Sequence, residues 1–111
     1  MKTLYYLTTD EVNASTARGL AAGLGIDLEA AEPRDLPRLA SEEAKVVLDW
    51  DFLLPEDRSS LLNGSAVWLV GVHGYNVSDS VTGFLPLRDV VVSRHLDRAF
   101  LAALSTRARA A

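Results

Sequence analysis

Lys45-Val46-Val47-Leu48-Asp49-Trp50-Asp51 is the stretch on which the fold turns. An apolar, β-branched run with no polar alternation belongs to a strand covered on both faces, and such strands lie at the centre of parallel sheets. The run closes on acid, which places carboxylates at the strand's carboxyl end. If the strand continues to Asp51, Asp49 and Asp51 share one face with Trp50 opposite, because side chains alternate with period two. Asp49 would then stand one pleat inside the sheet, where a charge is costly unless it is partnered or bound to metal.

Reading outward from this strand, the chain alternates. Toward the carboxyl terminus, Pro55 opens a brief helical stretch to Leu62, and Asn63-Gly64 makes a turn. Ala66 to Val72 is a further apolar strand, with His73-Gly74-Tyr75-Asn76 as the loop at its end. Ser78 to Phe84 reads as a weak helix and Val90-Val91-Val92 as the last strand. Leu96 to Leu104 reads as a helix with Leu96, Phe100, Ala103 and Leu104 inward, and residues 105–111 as a frayed tail. Toward the amino terminus, Pro33 and Pro37 restrict Glu32 to Ala44 to a short, irregular surface helix, preceded by a strand from Ile26 to Ala30. Asp10 to Leu24 carries Ala17, Leu20, Ala21 and Leu24 at helical spacing, Gly25 ends that helix, and Thr3 to Thr8 is the first strand. Strand and helix alternating five times imply one α/β domain over residues 1–111, a three-layer α/β/α sandwich on a five-stranded parallel sheet. In such a sheet ligands bind beyond the carboxyl ends of the strands.

Composition narrows the function. With 11 Lys and Arg against 15 Asp and Glu, the net charge of −4 offers no footprint for a phosphate backbone, so nucleic acid is not an expected partner. The chain has no cysteine and two histidines, which rules out thiol redox chemistry, disulfides and a structural zinc site built from Cys and His alone. No apolar run approaches the length of a membrane span, and Met1-Lys2-Thr3-Leu4 enters a strand directly without the apolar run of a secretion signal; a cytoplasmic protein with no membrane partner is expected.

The polar groups gather at three strand ends: Thr9, Asp10 and Glu11 after the first, Asp49 and Asp51 in the third, and His73 after the fourth. Carboxylates from neighbouring strands suit magnesium. Each residue also has a structural reading. Asp51 can cap a turn beside Pro55, Asp10 can cap the helix that begins near Val12, and Arg94 can pair with Asp97. His73 reads as a surface residue, since no orienting partner for a catalytic histidine is evident.

In these residues the chain resembles the receiver domain of two-component response regulators. Thr9-Asp10-Glu11 stands where that family has its acidic pair, and Asp51-Phe52-Leu53-Leu54-Pro55 reproduces its Asp followed four residues later by Pro. Gly71 and Arg94 fall at the family's hydroxyl and lysine positions, and Leu96-Asp97 with the following helix resembles its last segment. The resemblance implies a flavodoxin-like, receiver-like sheet of order 2-1-3-4-5. It further implies Asp51 as phosphoacceptor, Asp10, Glu11 and Asp51 as magnesium ligands, and Arg94 and Gly71 at the phosphoryl site. Thr9, Gly71 and Arg94 depart from the family's pattern, so the expectation is a degenerate receiver working as a phosphorylation-independent interaction module in signalling, with a protein partner and with a homodimer left open. Two alternatives stay open. One is a magnesium-dependent phosphoryl or phosphodiester enzyme of toprim-like type using Asp49, Asp51 and Asp10 or Glu11. The other is a small flavodoxin-like domain that binds a nucleotide or flavin, holding phosphate with Thr8, Thr9 and Asn13 to Thr16 at a helix N-terminus.

Overall fold

The structure, a computed structural model, describes residues 3–42, 44–52, 69–75 and 91–109. In chain order these form β1 (Leu4–Leu7), α1 (Glu11–Leu24), β2 (Leu28–Ala31), a 3₁₀ turn (Pro33–Asp35) and α2 (Leu36–Ser41). There follow β3 (Lys45–Asp49), a second 3₁₀ turn (Trp50–Phe52), β4 (Leu69–His73), β5 (Val91–Ser93) and α3 (Arg98–Arg109). The five strands form one parallel sheet in the order β2-β1-β3-β4-β5, with β3 at its centre. This is a flavodoxin-like α/β fold. The helical stretches expected at Pro55 to Leu62 and Ser78 to Phe84, and the Asn63-Gly64 turn, lie outside the described residues.

Each face of the sheet has its own core. Val46 and Leu48 of β3 join Leu7, Val72 and Trp50 under Leu36 and Leu39 of α2. Val47 joins Leu4, Tyr6 and Leu28 against Ala17 and Ala21 of α1 and Phe100, Leu101 and Leu104 of α3. Covering both faces is what an uninterrupted apolar strand requires. Leu39 is fully buried, so the helix after Pro33 is a core element and not the surface segment its prolines suggested.

The caps follow ordinary local chemistry. Asp10 accepts the Asn13 N–H at 2.9 Å and closes the start of α1, and Gly25 ends it at φ 69°. A side chain rarely adopts that left-handed conformation, which favours glycine. Asp97 accepts the Phe100 N–H at 2.9 Å, so α3 begins after it and Leu96 packs against the core from outside the helix. The helix then runs through Arg109, past the point where the sequence suggested fraying.

Two differences bear on the site. The third strand ends at Asp49, two residues earlier than expected, because Trp50 turns into the α2-side core and the chain winds into a 3₁₀ turn. Asp49 and Asp51 are therefore not two residues of one strand face. Between β3 and β4 the register shifts: Val46 pairs with Leu69 but Val47 with Gly71, which leaves Val70 as an extra residue and sets Asp49 opposite His73. A bulge of this kind re-aims every side chain beyond it.

Candidate functional site

At the carboxyl ends of the strands the register aligns Asp49 of β3 with His73 of β4, and His73 with Ser93 of β5. Asp49 is wholly buried, and its Oδ2 accepts two hydrogen bonds of 2.8 Å, from Thr8 Oγ1 and from Asn13 Nδ2. Thr8 follows β1 and Asn13 lies in the first turn of α1, so three elements converge on one carboxylate. The Thr8 hydroxyl also accepts the Asp10 N–H at 2.9 Å, tying the network to the helix cap.

The other oxygen, Oδ1, has no hydrogen bond of good geometry and lies 3.5 Å from Nδ1 of His73. The same Nδ1 is 3.0 Å from the Tyr6 hydroxyl. His73 is itself 4% exposed and its ring packs beside Phe100, with centroids 6.2 Å apart. Burial acts first on Asp49 and would raise its pKa. The nearby His73 ring and the hydrogen bonds from Asn13 and Thr8 outweigh that effect and hold the carboxyl below its ordinary value. Burial, and then the charge and hydrogen bonding of Asp49, push the Tyr6 phenol far above its ordinary value, so it keeps its proton.

Among the described residues, two clefts open at this edge. The larger, of about 680 Å³, is lined by Asn13, Asp51, Phe52, His73, Tyr75 and Asp97 among others. The smaller, of about 370 Å³, lies by β2 and is lined by Asp10, Glu11, Arg18 and Asp35 among others.

Of the expected site residues, Asp10 and Asp51 line different clefts. Asp10 is the cap of α1 and lines the smaller cleft beside exposed Glu11, whereas Asp51 lines the larger one, where its Oδ2 accepts the Tyr75 N–H at 2.7 Å. Among the described residues no three His, Asp or Glu side chains are grouped to hold a metal ion. Gly71 lies two residues before the end of β4, facing α3, and a Cβ there would stand 2.3 Å from Leu104 Cδ2. The residue that ends β4 is His73. Arg94 follows β5 as an exposed residue and lines neither cleft.

His73, read from sequence as a surface residue, is a buried one, and it does have orienting partners in Asp49 and Tyr6. Thr8 and Asn13, considered as phosphate donors, have given those donors to the Asp49 carboxylate. The signal available in the sequence was Asp49 itself, an acid at the end of an apolar strand that demands partners. Comparison with known proteins finds no matching family model, no similar curated protein and no similar solved structure. No helix among the described residues is long and apolar enough to cross a membrane.

Proposed function

We propose that this chain is a receiver-like regulatory module that binds a protein partner and works without aspartyl phosphorylation. The observation that carries this reading is the closure around Asp49. A phosphoacceptor must be exposed to the donor and keep its lone pairs for attack, with a metal and a cation ready to neutralise charge on the equatorial oxygens. Asp49 ends the central strand but is buried and already accepts from Thr8 and Asn13. Asp51 lies in the turn beyond the strand, and Asp10 and Glu11 line a different cleft from it. The magnesium-enzyme reading needs those same carboxylates together and has less support for the same reason.

A binding role is supported by what the carboxyl edge exposes. Val12 and Tyr75 are more than two-thirds exposed, and Phe52 is 40% exposed. Large apolar side chains presented beside a polar cleft suit a protein contact. The test is incubation with acetyl phosphate and magnesium followed by intact-mass spectrometry, with no adduct expected. A stoichiometric phosphate adduct lost in Asp51→Asn would overturn the reading.

A further inference from the structure

We draw no further inference here: the strongest candidate, the larger cleft at the carboxyl ends of the strands with the buried His73 on its wall, carries none, because the Tyr6 hydroxyl reaches both His73 and Asp49 and nothing in the structure fixes which nitrogen of His73 bears the proton or which ligand the cleft takes.

Discussion

Replacing Asp49 by alanine removes the acceptor on which three elements converge. Thr8 Oγ1 loses a buried hydrogen bond of 2.8 Å and Asn13 Nδ2 a half-buried one of 2.8 Å, and His73 loses the carboxylate 3.5 Å from Nδ1. A buried donor left unsatisfied costs about 1–3 kcal/mol, and removing one member of a buried charged network about 3–5 kcal/mol, so Asp49→Ala should lose roughly 3–5 kcal/mol. For a domain whose whole stability is about 5–15 kcal/mol, this leaves a marginal fold and lowers Tm by more than about 10 °C. Asp49→Asn separates charge from shape. Its carbonyl oxygen can accept from Thr8 and Asn13, while its amide would face His73 Nδ1 and force the proton to Nε2. Only the difference between charge-assisted and neutral bonds is then lost, about 1–2 kcal/mol. Urea unfolding followed by circular dichroism measures both, and ring ¹⁵N spectra report the tautomer. If alanine costs less than about 1 kcal/mol, or asparagine is the more destabilising of the two, the account of Asp49 as the organising acceptor is refuted.

Acid should expose the same network. Because the folded-state pKa of Asp49 is lowered, its contribution is fully present above the unfolded value near 3.8 and is lost as pH falls through the folded value. Urea midpoints should therefore drop more steeply below about pH 4 in the wild type than in Asp49→Asn, and parallel curves would contradict this. Gly71→Ala places a methyl 2.3 Å from Leu104 Cδ2 in a fully buried layer and should cost about 1–3 kcal/mol by overpacking; a change within about 0.5 kcal/mol in a thermal melt would show that Leu104 has room to move. Gly25→Ala, at φ 69°, meets no steric neighbour within 4 Å, so its cost of about 1–2 kcal/mol should come from the left-handed backbone alone, and an unchanged urea midpoint would refute that attribution.

Much of the fold could be read before any coordinates. The apolar run Val46-Val47-Leu48, the periodic Ala17, Leu20, Ala21 and Leu24, and the stop at Gly25 report local propensity and burial, and such patterns are written along the chain itself. Alternation of these elements, with a resemblance to guide the order, was enough for the parallel 2-1-3-4-5 sheet. Asp49 was legible as an acid in need of partners for the same reason, since the cost of burying a charge follows from its place in an apolar strand.

The partners themselves were decided by tertiary structure. Tyr6, Thr8, Asn13 and His73 are separated by up to 67 positions, and no local pattern links them. They meet because β1, β3 and β4 are neighbours, and because one extra residue in β4 between the Val46 and Val47 pairings turns His73, and not Val72, toward Asp49. The same kind of non-local choice ended β3 before Asp51, when Trp50 found the α2-side core, and buried Gly71 under Leu104. Periodicity reports which side chains must leave water. Register and packing against distant elements determine which of them then face one another.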